Sequence, residues 1–301
     1  MNKKDFPHIH FYDQDFVDIY DRTWAWIADC WTNGGSQTKI SKIRFFYYPA
    51  RKTLDFLEQI LSSFFLVYSN RIYPASNGLD ALYTLQEPDG AIRSAYDIET
   101  GAPIFPEDNP LGVTLPLLSW AEFNLYHKTA NKKRVKEIMP ILSNYYRWLE
   151  ANFKMPNGLF STPLSSTGMI NSPRSEARYF IDFNATMAMN ALYLSALGDI
   201  LNDKDASFQY KRDYFSIKTR INSKMWNPED GFYYDLDENE IQVRTKTLGT
   251  YWLLLAEIPN EERAEKLIAK LKDPSCFGTD NPFPSLSVDH PAKCERHYRP
   301  G

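Results

Sequence analysis

The stretch from Asn157 to Met187 holds the residues whose types are best suited to chemistry. Glycines and prolines punctuate its first part, which predicts a polar loop. Asp182 then opens an apolar run with helical spacing, so the loop leads directly into a buried helix. One arginine, Arg174, and one carboxylate, Asp182, are therefore placed at a helix end. This arrangement is typical of functional sites, because reactive groups often lie on loops that a rigid scaffold positions.

The segments T-G-M-I-N-S-P-R and I-D-F-N-A in this stretch resemble a known family. They are similar to the loop and helix of trehalase-like and mannosylglycerate-hydrolase-like glycosidases, which are (α/α)6 barrels of the six-hairpin glycosidase superfamily. In that family the loop reads roughly S-G-x-D-x-S-x-R, and its aspartate is the general acid. Arg174 matches the family's arginine and Asp182 matches the next acidic position. Ile170 stands where the acid is expected.

The resemblance implies an inverting glycoside hydrolase, whose acid and base lie about 6.5–9.5 Å apart with a water between them. Isoleucine cannot transfer a proton, so Glu176 or Asp182 would have to replace the acid. Asp182 has a competing role as a helix cap. The family's base lies beyond the final hairpin, and the given chain stops at Gly301. We therefore expect this chain to hydrolyse glycosides poorly or not at all.

A second loop, 87–111, carries the segment D-G-A-I-R and an N-P pair. They resemble a D-G-x-I-x-R/E element and a Q/N-P segment of the same family. Arg93 could hold a carboxylate of a substrate or of the site, because its guanidinium donates bidentate hydrogen bonds. It could equally form a salt bridge with Asp97 or Glu99 that staples the loop.

A third loop begins with the W-N-x-x-x-G-x-x-x-D turn that the family shows, and Asp235 is expected to organise it. Trp120, early on the helix after the second loop, could line a cleft or pack in the core. The substrate-binding residues that the resemblance implies are Asp89, Arg93, Asn109, Trp120, Asn171, Arg174, Trp226 and Tyr234. The catalytic candidates are Asp182 and Glu176.

Helical periodicity recurs along most of the chain and predicts about nine helices. These fall into antiparallel pairs, and the three long loops 87–111, 154–181 and 226–246 separate the pairs. No short sequence period marks an open repeat array, so we predict an all-α closed toroid with the long loops at one end. The resemblance makes it an (α/α)6 toroid, which we expect to be incomplete at the C-terminus. We expect residues 1–50 to form a helical segment packing on the barrel, and 51–301 to form the glycosidase-like domain. The predicted helices are Asp13–Trp31, Thr53–Asn70, Asn77–Leu85, Gly112–His127, Val135–Phe153, Asp182–Leu201, Asp205–Met225, Thr247–Glu257 and Glu261–Leu271. Pro140 predicts a kink or a late start in the fifth of them.

Composition excludes several classes of function. The 301 residues carry a net charge of −4 without a basic block, so no nucleic-acid partner is expected. No apolar run could span a bilayer and no secretory signal is present, so we expect no membrane and a cytoplasmic location. Cys30, Cys276 and Cys294 lack the spacing of a disulfide framework or zinc site, and no cofactor or metal motif occurs.

The 19 Phe, 19 Tyr and 7 Trp residues fit either core packing or the stacking of sugar rings. Three hypotheses remain open. The first is a glycoside hydrolase acting on a small α-linked sugar or glycoside. The second is a catalytically impaired carbohydrate-binding relative or fragment, with self-association through the open end of the barrel. The third is a non-enzymatic helical scaffold.

Overall fold

A computed structural model of the protein describes residues 6–7, 9–280 and 282–294, with residues 293 and 294 described by their backbone alone. In these residues nine α-helices occur together with four two-stranded antiparallel sheets. The helices are α1 Gln14–Asp29, α2 Phe56–Leu66, α3 Asn77–Thr84, α4 Leu118–Thr129, α5 Lys132–Phe153, α6 Ile181–Leu201, α7 Lys204–Lys224, α8 Trp252–Leu255 and α9 Glu261–Lys272. The strands are β1 Trp31–Asn33, β2 Arg44–Phe46, β3 Thr53–Asp55, β4 Ala95–Asp97, β5 Trp226–Asn227, β6 Phe232–Tyr233, β7 Asp235–Leu236 and β8 Gln242–Val243.

Helix α6 is the centre of the molecule. Its buried residues lie on all sides of the helix, as expected for a helix that other elements surround. Helices α2, α4, α6 and α8 each pack against the next in this order, while α5 and α7 pack on α6 from outside. Residues Asn202 and Asp203 alone connect α6 and α7, which form a tight hairpin. In the described part of the chain, no helix is long and apolar enough to cross a membrane.

The short sheets fix the loops rather than form a layer of their own. Strand β3 pairs with β4, with Asp55 opposite Ala95, so the segment before α2 is joined to the loop 87–111. Leu236 of β7 pairs with Tyr179, which joins the loops 154–181 and 226–246. Asn157 donates a hydrogen bond to Glu240 between the same two loops, at 2.9 Å. Neighbouring long loops therefore contact each other.

The N-terminal segment packs on α2 through aromatic rings. Trp24 of α1 lies 6.5 Å from Phe65, and Phe46 of β2 lies 6.1 Å from the same ring. Within α1 only Trp24 and Ile27 are buried. Most of this helix is therefore exposed, and the division of the chain at residue 50 stays a prediction.

The helix predictions for α1, α3, α6, α7 and α9 are correct to within two residues. The other four helices differ from the prediction by more than two residues at one end or both. The predicted helix Thr247–Glu257 is a 3-10 helix, Leu248–Tyr251, followed by the short α8, and α2 ends at Leu66 rather than at Asn70. Thr53–Asp55 is a strand, because it pairs with β4, and the helix begins only at Phe56. Residues 112–117 are not helical, since Gly112 has a φ of +54° and α4 begins at Leu118. Pro140 does not delay α5, which begins at Lys132 and continues through the proline.

Candidate functional site

The guanidinium of Arg174 lies at the centre of a cluster that we call the Arg174 cluster, made of Arg174, Asp182 and Asp235. Its Nε and Nη2 donate to Asp235 at 2.6 and 2.9 Å, and its Nη1 and Nη2 donate to Asp182, both at 3.0 Å. Arg174 and Asp182 have no exposed surface, and Asp235 exposes 1%. The cluster links the loop 154–181, helix α6 and the loop 226–246.

The Arg174 cluster holds two carboxylates and one cation, so it carries a formal charge of −1. The N-terminus of α6 compensates part of this charge, because Asp235 accepts a hydrogen bond from the backbone N–H of Ile181 at 2.8 Å. Burial alone would lower the pKa of Arg174, but Asp182 and Asp235 outweigh burial and raise its pKa above its ordinary value. The arginine is therefore permanently charged. Phe180 is the N-cap of α6, so Asp182 is not the cap.

A separate cavity of about 280 Å³ lies beside Ile170, and we call it the Ile170 pocket. It opens between the loops 87–111 and 154–181. Ile170 itself exposes 57% of its surface. The polar lining consists of hydroxyl groups and one carboxylate, that of Asp55. The other lining residues are Leu57, Ser94, Ala95, Ile104, Pro106, Thr114, Ser165 and Thr167.

Asp55 reaches the Ile170 pocket because the β3–β4 pairing places it next to Ser94 and Ala95. One oxygen of its carboxylate accepts the backbone N–H of Glu58 at 3.0 Å and caps α2. Asp55 is not among the site residues predicted from the sequence. Its sequence signal, an aspartate before a helical run, is the same at any capped helix, so only the strand pairing identifies it.

Glu58 lies in the first turn of α2, three residues after Asp55. Burial raises the pKa of Glu58, the nearby Asp55 carboxylate raises it further, and Arg51 at 3.4 Å lowers it by less. The Oε2 atom of Glu58 is buried and has no hydrogen-bond partner among the described residues. The end of α2 next to the Ile170 pocket thus holds negative charge that is only partly compensated.

A second cavity, of about 380 Å³, lies between Asp108 and the loop 154–181. Its lining is mostly polar and includes Ser161, Thr162, Ser175 and the exposed Arg178. The two cavities share the loop 154–181 as a wall, since Pro163 and Leu164 line one and Ser165 lines the other. Polar groups therefore converge around the loop that the sequence singled out.

Arg93 staples its own loop. Its Nε donates to Glu87 at 2.7 Å, its Nη2 also bonds Glu87, and its Nη1 donates to the carbonyl of Leu111 at 2.8 Å. The partner is thus Glu87 and neither Asp97 nor Glu99, because the loop folds back on its first residue. The guanidinium also lies over the rings of Phe105 and Trp148.

The remaining predicted binding residues mostly have structural contacts, and none of them lines either cavity. Asp89 is exposed and accepts the N–H of Ala91 in a turn. Asn109 is buried and exchanges two hydrogen bonds with the backbone of Val113. Asn171 is half-buried in the loop beside Ile170.

The predicted aromatic residues contact other rings. Trp120 packs against Phe64 and Trp252, with ring centroids 4.6 and 6.0 Å away. Trp226 lies under the guanidinium of Arg263 at 4.9 Å. The buried hydroxyl of Tyr234 bonds Asp230 at 2.9 Å. Their predicted contact with sugar stays a prediction.

Of the catalytic candidates, Asp182 is enclosed in the Arg174 cluster and Glu176 is exposed outside both cavities. The structure therefore brings Arg174 and Asp182 together, as an ion pair, and brings neither candidate to the Ile170 pocket. Cys30 and Cys276 are buried free thiols, and the side chain of Cys294 lies outside the described residues. The described residues contain no group of three or more metal-ligating side chains.

Comparison with known proteins supports the family resemblance. The model of a family described as the mannosylglycerate hydrolase MGH1-like glycoside hydrolase domain matches residues 74–294. A protein of Borreliella burgdorferi without an assigned function is 46% identical over 295 residues. The alignment covers 98% of this chain and 62% of that protein, so the chain spans less than two thirds of its relative.

Solved structures show the same fold. A GH63 mannosylglycerate hydrolase of Thermus thermophilus, crystallised with glucose, superposes with a TM-score of 0.72 at 18% identity, over 90% of this chain and 79% of that one. A neutral trehalase of Saccharomyces cerevisiae superposes with a TM-score of 0.66 at 13% identity, over 86% of this chain and 60% of that one. These similarities confirm the predicted all-helical (α/α)6-type toroid.

Proposed function

Because the chain belongs to the family of mannosylglycerate hydrolase MGH1-like glycoside hydrolase domains, we propose that it binds a small α-linked glycoside, with one sugar ring in the Ile170 pocket. The observation that carries this proposal is the position of Ile170. It stands where the sequence resemblance expects the general acid, and it lies on a cavity that two long loops and Asp55 build together.

The size and lining of the Ile170 pocket support a single polyhydroxylated ring. Its volume of about 280 Å³ is close to the lower end of ligand pockets, about 300 Å³. Hydroxyl groups of Ser94, Thr114 and Thr167 can exchange hydrogen bonds with sugar hydroxyls. Asp55 adds a charged acceptor, and hydrogen bonds to charged groups are the stronger ones.

The Arg174 cluster has a positioning role in this proposal. It holds the C-terminal side of the loop 154–181 against α6 through Asp182 and against the loop 226–246 through Asp235. Ile170 lies four residues before Arg174, so the cluster positions the part of the loop that lines the Ile170 pocket. A trehalase-like or mannosylglycerate-hydrolase-like preference among α-linked sugars is part of the proposal.

Calorimetric titration of the 301-residue chain with trehalose and with α-glucosides and α-mannosides of small alcohols and acids tests the proposal. Asp55→Asn keeps a helix-capping side chain but loses the charge. We expect it to weaken binding by about tenfold to a hundredfold, as a hydrogen bond to a charged group contributes about 1.5–3 kcal/mol. Ile170→Trp should block the pocket and abolish binding.

Asp97→Asn is the matched control, because Asp97 lies on β4 two residues from Ala95 but outside the pocket. The ligand would lie elsewhere if Asp55→Asn and Ile170→Trp bound the sugar with the same affinity as Asp97→Asn. Absence of saturable binding for every sugar would instead favour the helical scaffold.

A second candidate function is glycoside hydrolysis, inverting by resemblance, with Asp55 as a participating carboxyl group. The observation in its favour is that Asp55 lies on the same cavity as Ile170. General acid catalysis contributes about 10²–10⁴-fold to a rate. Hydrolysis would be supported if the unmodified chain released sugar and Asp55→Asn reduced the rate of release by this factor while largely keeping the affinity. No turnover with intact binding would support the impaired relative.

A further inference from the structure

A groove of about 790 Å³ lies between the first half of α5 and the α6–α7 turn. Its floor is apolar and includes Met139, Pro140 and Leu201. Leu201 is the last residue of α6, whereas Asp182 lies at its start. A helix of this length spans about 30 Å, so the groove is at the far end of α6 from the Arg174 cluster. The proposed sugar site does not include it.

Cations surround this groove, namely Lys132, Lys133, Lys136 and Arg147. Of these four cations, only Lys133 has a carboxylate of the described residues within salt-bridge distance, that of Glu137 at 3.7 Å. Arg147 bonds the neutral Ser143 and Asn144. The single carboxylate on the groove, Asp203, caps α7. The basic groove therefore has unneutralised positive charge around an apolar floor, although the whole chain has a charge of −4.

Helix α1 has the complementary character. Its sequence holds four aspartates and one arginine. Phe16, Ile19 and Trp26 recur at helical spacing, and they expose 56%, 59% and 46% of their surfaces. Asp15, Asp18 and Asp29 are exposed beside this apolar stripe. None of the groove residues comes from α1, and α1 packs on Phe65 in its own chain.

We infer that the basic groove binds helix α1 of a second copy of this chain. The apolar stripe of α1 would cover Met139, Pro140 and Leu201, while its aspartates would face the lysines of α5. An amphipathic helix that places its apolar face in a groove is a common recognition mode. Opposite charges around such a contact give it orientation and salt dependence. The contact joins two different surfaces, so each copy offers one donor helix and one acceptor groove.

Sedimentation velocity at several protein concentrations tests this assembly. The 301-residue chain should self-associate, and raising NaCl from about 0.05 to about 0.5 M should weaken association, since the Debye length shortens. The acceptor variant is Lys132→Glu with Lys136→Glu. The donor variant is Asp18→Lys with Asp29→Lys. We expect each to weaken self-association by about tenfold or more. Acidic residues near the start of α5 and a lysine at the end of α1 interact favourably with the helix dipoles. A loss of folding would therefore not explain weaker association.

The mixing experiment is the sharpest test. The acceptor variant keeps an acidic α1 and the donor variant keeps a basic groove, so the two should associate when mixed. A matched control, Lys39→Glu with Lys42→Glu, also reverses two exposed lysines, which lie away from the groove, and should associate as the wild type does. A monomeric wild-type chain, or two variants that remain apart when mixed, would overturn the inference. Association that is weakened only by Leu61→Ser and Phe65→Ser, on the exposed face of α2, would also overturn the inference. That result would indicate self-association through the open side of the barrel.

Discussion

Two pairs of carboxylates lie at the starts of α6 and α2 and have opposite electrostatic surroundings. Asp182 and Asp235 share the guanidinium of Arg174, and all three side chains are buried. Asp55 and Glu58 lie at the start of α2, where Arg51 at 3.4 Å from Glu58 is mostly exposed to solvent. The first pair is fully used in internal hydrogen bonds. The second pair retains negative charge beside an open cavity.

This difference separates carboxylates that stabilise the loops around a site from carboxylates that can bind a ligand in it. A buried ion-pair cluster that has lost its cation is costly, because the remaining charges cannot be hydrated. A partly exposed carboxylate keeps lone pairs available for a ligand. The family-matched Arg174 and Asp182 therefore stabilise the loop, while Asp55, which no motif marks, faces the cavity.

Removing the cation should have the largest effect. Arg174→Ala leaves two carboxylates buried without their partner, and we expect a loss of about 3–5 kcal/mol in the free energy of unfolding. Urea denaturation measures this loss. Arg212→Ala, on the exposed face of α7, is the control and should stay within about 0.5 kcal/mol of the wild type.

If Arg174→Ala fails to fold, Arg174→Lys keeps the charge without the planar fork and should show a smaller loss. A loss below about 1 kcal/mol for Arg174→Ala would mean that the cluster does not hold the loops together.

Crowding the same cluster should have an intermediate effect. A methyl group at Gly249 would lie 2.9 Å from Oδ2 of Asp182. Hydrogen bonds from Arg174 hold this carboxylate in place. We therefore expect Gly249→Ala to cost about 1–3 kcal/mol, although alanine is normally the better residue in a helical turn.

Thermal or urea denaturation checks the value for Gly249→Ala. Gly168→Ala is the control, since its methyl group would meet only Leu115 at an ordinary 3.6 Å. Equal stability of the two variants would show that Asp182 can move aside.

The smallest effect is expected at Glu58, and it depends on pH. The pKa of Glu58 is higher in the folded chain than its ordinary value of 4.5. The folded state thus binds the proton more tightly, and stability falls as pH rises above about 4.5 through the folded pKa. Glu58→Gln removes this loss, so the variant should be more stable at neutral pH by about 0.5–1 kcal/mol, with solvent screening limiting the gain.

The difference between Glu58→Gln and the wild type should become small near pH 4, because most Glu58 carboxyl groups are then protonated in both states. Urea denaturation at pH 4 and pH 7 measures it, with the exposed Glu99→Gln as control. A variant that is less stable than the wild type at pH 7 would show that Arg51 compensates the charge.

The sequence by itself determined the helices and the loop that matters. Helical periodicity depends on neighbours three or four residues apart, so α6 and α7 could be predicted to within one residue. The ion pair of Arg174 with Asp182 spans eight residues, and each position lies in one of the two segments that carry the family resemblance. That Ile170 stands where the resemblance expects the general acid is a prediction from the sequence alone.

The tertiary structure alone decided which charged groups meet. Asp235 joins Arg174 from 61 residues away, Arg93 selects Glu87 rather than Asp97 or Glu99, and Asp55 reaches the pocket through pairing with a strand 40 residues later. Many carboxylates along the chain have the same chemistry. Which of them lies near an arginine or a cavity depends on how distant segments pack, and no local pattern records that choice.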